Sequence, residues 1–301
     1  MAKKHPGFCA LCGEYLDDLS FEHIPPRSAF NKFPVRAVSG KDFIGKTTVP
    51  WDLNHLPYDN LQRGMGEYSL CSVCNSTAGV WYVKEYKKIS RIFVEALAQI
   101  TSADFPQCIE IKEMHPLRFI KQIICMFCSV NNQESLRAYN MTEQEIPSQD
   151  NPFMQMMIES KKSLYQASKL VDELRRFVLD KNASGLDSKK FKVCMYVTKS
   201  SLHKLNGLSS AMKIKNNTFS ISSEISTFPL GFILYFNPTE DLEYKGVDIT
   251  NFANCNYDDI ASVRMPIFVY EMNTWVPLDY RTKAEIQKGI NEAEDFLKNR
   301  Q

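Results

Sequence analysis

The chain has 301 residues, is 44% hydrophobic and 24% charged, and carries a net charge of +1. These are ordinary values for a globular protein with room for two domains. No long apolar run and no apolar signal core appear, so we expect a cytoplasmic protein with no membrane span. Since residues 1–99 carry 12 Lys+Arg against 10 Asp+Glu, broad non-specific coating of DNA is not expected.

Two Cys-x-x-Cys pairs mark the first hundred residues, Cys9/Cys12 and Cys71/Cys74. Cysteines in an unsecreted chain favour metal ligands over disulfides. Each pair can supply half of a tetrahedral site, and four thiolates together favour a structural zinc ion. A third pair, Cys125/Cys128, lies inside an apolar run, so we predict that it packs in the core.

Between the zinc pairs, the pattern predicts two short strands and a long connection. Residues 21–24 alternate as a strand that Pro25-Pro26 ends. Residues 27–60 show little periodicity and are predicted to form a long irregular loop, and residues 67–70 form the second strand. A helix is predicted from Asn75 to about residue 100. Its basic face is either solvated or contacts phosphate, and consists of Lys84, Lys87, Lys88 and Arg91.

The second half of the chain changes from helical to extended patterns after a boundary at residues 101–107. The apolar spacing predicts two helices and then a mostly antiparallel sheet, so the fold class is α+β. Asn216-Asn217 marks a hairpin turn. The expected helices are residues 115–128, 158–178 and 283–299, and the other strands are residues 191–197, 230–236, 263–270 and 275–278.

Glu22-His23-Ile24-Pro25-Pro26, placed between the two cysteine pairs, together with Asn75 directly after Cys74, resembles the HNH endonuclease family. The resemblance covers residues 9 to about 97. It implies a zinc-stapled ββα-metal (HNH) module in residues 1–100. The α+β region of residues 101–301 would then be a regulatory, dimerisation or substrate-positioning domain. Modules of this type recur in bacterial anti-phage and mobile-element proteins.

The resemblance also implies a role for each motif residue. His23 would be the general base that activates water. Glu22 and the amide oxygen of Asn75 would hold a catalytic Mg²⁺ or Mn²⁺, which prefer oxygen ligands. Most relatives have aspartate in place of Glu22, and many have histidine in place of Asn75. The middle asparagine, which orients the histidine, is assigned to Asn60, with Asn54 as the rival.

The resulting functional hypothesis is a metal-dependent HNH endonuclease that hydrolyses DNA, with double-stranded DNA as the expected partner. A homo-oligomer, or an activating ligand or protein acting through residues 101–301, is compatible with it. Two alternatives remain: a non-catalytic zinc module that binds nucleic acid or protein, and an HNH-type nuclease that acts on RNA. Glu22, His23 and Asn75 occurring together favour the enzyme. His55 is a further candidate ligand in the loop.

Overall fold

The computed structural model describes residues 4–37, 57–99, 108–131, 169–198, 207–215, 218–240 and 244–270. It is a mixed helical and sheet protein with mainly antiparallel sheets, as the α+β prediction requires. The helices in these residues are too short or too polar to span a bilayer.

The N-terminal part is built on a hairpin and the helix that follows it. β1 (Gly7–Phe8) and β2 (Tyr15–Leu16) pair around the first cysteine pair. β3 (Ser20–His23) and β6 (Gly66–Leu70) form the antiparallel hairpin, which confirms both predicted strands. The Glu22-His23 dipeptide therefore lies at the end of β3.

The helix predicted from Asn75 begins three residues earlier and has a break. α1 is Ser72–Trp81 and α2 is Val83–Gln99, with Tyr82 between them. Tyr82 is buried, and its hydroxyl donates to the carbonyl of Val178 at 2.7 Å. The break therefore places a buried aromatic side chain between the two helices.

The prediction of one irregular loop over residues 27–60 is wrong in part. β4 (Val35–Ala37) and β5 (Asp59–Leu61) form a two-stranded antiparallel ribbon in which Val35 pairs with Leu61. Strands of three residues are too short to show an alternating pattern, and their partners lie far apart in sequence. Residues 38–56 of the predicted loop lie outside the described residues.

The second half of the chain has two described helices and a six-stranded sheet. α3 is Pro116–Val130, which confirms the helix expected at residues 115–128. α4 covers residues 169–179. The sheet order is β12-β8-β11-β10-β9, and β9 and β10 pair on either side of the predicted turn. The strands are β8 (Phe191–Thr198), β9 (Gly207–Lys215), β10 (Thr218–Ser226), β11 (Leu230–Phe236) and β12 (Val247–Asp248).

The strand predicted at residues 263–270 is divided between two sheets, which corrects the expectation that it completes the main sheet. β13 (Ala261–Pro266) pairs with β7 (Cys108–Met114), a strand that the sequence pattern did not reveal. β14 (Val269–Tyr270) then pairs with β8 in parallel. Pro266 has no N–H to continue a ladder, so the chain changes partners there. The predicted strand at 275–278 and helix at 283–299 lie outside the described residues.

Helix α3 lies at the centre of the core. Its Phe119 packs against Tyr86 of α2 and Phe232 of β11, with ring centroids 5.9 and 6.1 Å away. Cys125 and Cys128 are 0% and 1% exposed, which confirms the predicted packing of the third cysteine pair. A single buried cluster includes residues from both sides of position 100. The boundary between residues 1–100 and 101–301 stays a prediction.

Candidate functional site

The two cysteine pairs come together as predicted. The Sγ atoms of Cys9, Cys12, Cys71 and Cys74 all lie within 4.8 Å of one another, close enough to bind one metal ion. Gly13 has a φ of +77°, which L side chains rarely adopt, and its N–H donates to the carbonyl of Cys9 at 2.9 Å. This tight turn brings the first pair into place, and the start of α1 positions the second.

Backbone donors and burial act differently on the thiols of Cys9 and Cys74. Burial by itself raises the pKa of Cys9, but N–H groups of Cys71, Cys12 and Leu11 bring that pKa below its ordinary value. Burial raises the pKa of Cys74, and the neighbouring thiolates raise it further. Four thiolates cannot share this volume without a cation, so the donor set fits a tetrahedral ion such as zinc.

Arg175 of α4 connects the first cysteine pair to the second half of the chain. Its Nε donates to the carbonyl of Ala10 at 2.7 Å, and Nη2 donates to the carbonyl of Cys9 at 3.3 Å. Nη1 pairs with Asp172 at 2.9 Å. The guanidinium is buried, so these bonds satisfy carbonyls that water does not reach.

The ring of His23 is held by Phe21 and Arg63. Phe21 makes an edge contact with the ring, with centroids 5.0 Å apart. The backbone carbonyl of Arg63 accepts a hydrogen bond from the ring. Nε2 is buried and has no hydrogen-bond partner among the described residues. The ring therefore lies at the end of β3 between Phe21 and the backbone of Arg63.

The charge state of His23 follows from the same surroundings. Burial lowers the pKa of the ring below 6.5. The hydrogen bond to the Arg63 carbonyl acts in the opposite direction, and the positive charges of Arg27 and Arg63 lower the pKa further. At neutral pH the ring is therefore uncharged and able to accept a proton.

Glu22 and Asn75 lie on the helix side of the hairpin. Glu22 is 7% exposed, and burial raises the pKa of its carboxyl to about 8. Within the described part of the chain, the carboxyl of Glu22 forms no hydrogen bond or ion pair. The Nδ2 of Asn75 donates to Ser20 Oγ at 3.0 Å and to the carbonyl of Phe21 at 3.3 Å, which leaves its Oδ1 available as a ligand.

Asn31, and not the assigned Asn60, connects the loops around the site by hydrogen bonds. Asn31 is buried; its Nδ2 donates to the carbonyls of Pro25 and Met65 at 2.6 and 2.7 Å, and its Oδ1 accepts from the N–H of Met65 at 2.7 Å. Asn60 is exposed on β5, opposite Arg36. The role assigned to Asn60 stays a prediction, and Asn54 and His55 lie outside the described residues.

The sequence contains one indication of the hydrogen bonds that Asn31 makes, and this indication is not a periodic pattern. Gly64 and Gly66 flank Met65, and closely spaced glycines indicate a close backbone approach. A Cβ on Gly64 would lie 2.3 Å from the carbonyl oxygen of Asn31, and the φ of Gly64 is +109°. The importance of the Arg63 carbonyl had no signal in the sequence, because any residue can supply it.

Comparison of the chain with protein-family models, with curated proteins and with solved structures found no match. The roles of these residues are therefore argued below from their chemistry and positions.

Proposed function

We propose that this chain is a metal-dependent HNH-type endonuclease that hydrolyses phosphodiester bonds in nucleic acid, with DNA as the first candidate. The observation that carries the proposal is His23. Its ring is uncharged at neutral pH because burial lowers its pKa, and it lies at the end of β3 beside Phe21 and the backbone carbonyl of Arg63. A general base for water must be uncharged at the pH at which it acts.

His23 would take a proton from the attacking water through a ring nitrogen, and the Arg63 carbonyl would stabilise the imidazolium that results. Arg63 thus performs, through its backbone, the orienting function that the resemblance assigns to a middle asparagine. Asn31 acts one step further away, because it fixes Met65 and so the segment that carries the Arg63 carbonyl.

The surroundings of Glu22 fit a divalent cation. A buried carboxyl without a counter-charge is costly, and an Mg²⁺ or Mn²⁺ ion would offset that cost. Glu22 and the Oδ1 of Asn75 are the oxygen atoms that would hold it, since the amide of Asn75 lies against the residue before Glu22. When bound, the ion would stabilise charge on the phosphoryl oxygens and the leaving oxygen.

The four cysteines would hold a structural zinc ion that fixes β1, β2 and the start of α1. Thiolates favour zinc, whereas a carboxylate with an amide favours magnesium or manganese, so the two sites would be chemically distinct. A place for this enzyme in bacterial anti-phage defence is a part of the proposal that rests on the resemblance alone, and a cytoplasmic location is a further part of it.

The test is plasmid cleavage by the purified full-length, zinc-loaded protein with Mg²⁺ or Mn²⁺. We expect nicking or linearisation, and a loss of about 10²- to 10⁴-fold for His23→Ala, which is the usual contribution of a general base. His115→Ala is the matched control, because His115 lies at the start of α3 and its Nδ1 contacts the carbonyl of Asp259.

Cleavage that survives His23→Ala would exclude this histidine as the base. Absence of cleavage with either ion, on plasmid and on RNA, would contradict an enzyme that is active by itself and leave two candidates, an enzyme activated through residues 101–301 and the non-catalytic zinc module. Cleavage of RNA alone would keep the mechanism and change the substrate.

A further inference from the structure

Three aromatic rings from the N-terminal arm and the hairpin lie in a row that ends at His23. The ring of His5 stacks on the ring of Tyr68, with centroids 3.4 Å apart and planes 5° from parallel. Tyr68 makes an edge contact with Phe21 at 5.2 Å, and Phe21 makes the edge contact with His23 at 5.0 Å. We call His5, Tyr68 and Phe21 the ring column.

The register of the hairpin explains why these rings share one face. Phe21 pairs with Tyr68 across β3 and β6, and side chains directly opposite each other in an antiparallel pair are close enough to interact. His23 follows Phe21 by two residues on β3, so the two side chains point to the same side. The row is therefore a consequence of the strand pairing, and it leads to the end of β3.

The position opposite His23 on the hairpin is a glycine. Gly66 pairs with His23 and has no side chain that could pack against the imidazole. A Cβ on Gly66 would lie 2.8 Å from Cε1 of Phe21, so the ring of Phe21 occupies the space that a side chain would need. Phe21 therefore takes the place of a cross-strand neighbour for the imidazole.

The N-terminal arm holds the other end of the ring column. The backbone N–H of His5 donates to Asp18 Oδ1 at 2.9 Å, and the carbonyl of His5 accepts from the N–H of Leu19 at 2.8 Å. These bonds fix the arm beside the residues that enter β3. Tyr68 is 43% exposed, and His5 covers one face of its ring. The arm therefore limits the movement of Tyr68 and, through it, of Phe21.

We propose that the ring column positions His23, with Phe21 in contact with the imidazole and with Tyr68 and His5 acting through Phe21. The inference rests on the proposed nuclease function, because orientation matters for a ring that must meet a water molecule beside a phosphodiester. It deepens that function by making the N-terminal arm a part of the site. Displacement of a reacting group by about 1 Å can slow a reaction by about 100-fold.

The first measurement is the NMR spectrum of the histidine side chains, recorded at pH 8 on the full-length zinc-loaded protein without Mg²⁺ or Mn²⁺. The signals of His23 are assigned as those that are lost in His23→Ala. An aromatic ring shifts the resonances of protons near it, so Phe21→Leu should move the ring C–H signals of His23 toward those of a histidine in an unstructured peptide. Tyr68→Ala and His5→Ala should move them in the same direction by less.

The second measurement is the rate of plasmid cleavage with Mg²⁺ or Mn²⁺. Phe21→Leu should lower kcat by about 10- to 100-fold and leave KM nearly unchanged, because the ring contact acts on the reacting group and not on substrate binding. The double variant His5→Ala/Phe21→Leu should be no slower than Phe21→Leu alone, since His5 acts through Phe21.

A conservative variant and a matched control accompany both measurements. Tyr68→Phe keeps the ring and removes only the hydroxyl, so it should retain the wild-type His23 signals that Tyr68→Ala loses. Tyr15→Ala removes an aromatic side chain that is 58% exposed and makes an edge contact with Phe8 at 5.1 Å, outside the ring column. It should leave the His23 signals and kcat unchanged.

Unchanged His23 signals in Phe21→Leu and Tyr68→Ala would overturn the positioning role, as would equal shifts in Tyr15→Ala. Additive losses of kcat in the double variant would exclude an action of His5 through Phe21. Shifted signals in a protein that cleaves no nucleic acid would support the ring column and contradict a nuclease that is active by itself. Cleavage that depends on His23 but not on Phe21 would support the nuclease and overturn the positioning role.

Discussion

The carboxyl of Glu22 is buried without a hydrogen-bond or ion-pair partner among the described residues. It lies between β3 and α3, and burial alone raises its pKa to about 8. In the absence of a cation, the folded protein therefore holds a proton that the unfolded chain releases near pH 4.5. Proteins keep such groups where they have a chemical task, which is the reason to regard this one as a ligand.

The sign of the resulting pH dependence is definite. Between pH 4.5 and about 8 the folded state binds one more proton than the unfolded state, so stability falls as the pH rises through this window. Glu22→Gln should remove this slope. Without Mg²⁺ or Mn²⁺, we expect its free energy of unfolding at pH 8 to exceed the wild-type value by several kcal/mol, since one pKa unit is about 1.4 kcal/mol.

Denaturant unfolding at a series of pH values would measure this effect, with the exposed Glu14→Gln as control. Added Mn²⁺ should stabilise the wild type and not Glu22→Gln. Parallel stability curves for wild type and Glu22→Gln would show that the carboxyl is not desolvated in the folded state and would remove it from the ligand set.

At the scale of single residues, the sequence was sufficient for the side chains that carry distinctive chemistry. The clustering of the four cysteines was predictable because Cys-x-x-Cys pairs have few uses besides metal binding. Asn31 was missed because a buried asparagine that bonds only backbone groups has no characteristic neighbours in sequence. The role of the Arg63 carbonyl was missed because every residue has a backbone carbonyl, so the residue type does not reveal it.

At the scale of elements, Asn31 holds the turn after β3 against the segment that enters β6. It makes three side-chain hydrogen bonds of 2.6 to 2.7 Å, all to buried backbone groups. Removing the side chain leaves those groups without partners, and each buried unsatisfied group costs about 1–3 kcal/mol. The His23 ring depends on this segment for its hydrogen bond.

Asn31→Ala should therefore lower the free energy of unfolding by about 2–5 kcal/mol and reduce cleavage. Asn60→Ala, at an exposed position, should change stability by no more than about 0.5 kcal/mol. Chemical denaturation and the plasmid assay would check both. The reverse pattern, with cleavage lost in Asn60→Ala and kept in Asn31→Ala, would restore Asn60 as the middle asparagine.

Long, strongly patterned elements were predictable, whereas short or shared ones were not. The buried strand Leu230–Phe236 and helix Pro116–Val130 read directly from their apolar runs. β4 and β5 have three residues each, which is too few to show an alternating pattern. β7 was missed because its partner, β13, is more than a hundred residues away.

At the scale of the whole molecule, the four clustered cysteines are not separate from the second half of the chain. Arg175 satisfies the carbonyls of Cys9 and Ala10, and Tyr82 reaches the end of the same helix α4. Groups that support metal ligands in this way commonly change metal affinity by about 10- to 100-fold when they are removed.

Arg175→Met keeps most of the side-chain volume and removes the hydrogen bonds. We expect zinc to pass to a colorimetric chelator about 10- to 100-fold faster from this variant than from wild type. Arg176→Met, at the exposed neighbouring position, is the matched control. Equal release from all three proteins would mean that α4 merely packs on the cysteine turn and does not stabilise the site.

The order of these groups along the chain has a consequence for synthesis. Cys74 leaves the ribosome 101 residues before Arg175. At about 5–20 residues per second, that interval lasts about 5–20 s. All four ligands are therefore exposed to the metal supply of the cell before the guanidinium arrives. The zinc ion proposed for these four thiols would enter an open site during translation, and the finished chain would then close over it.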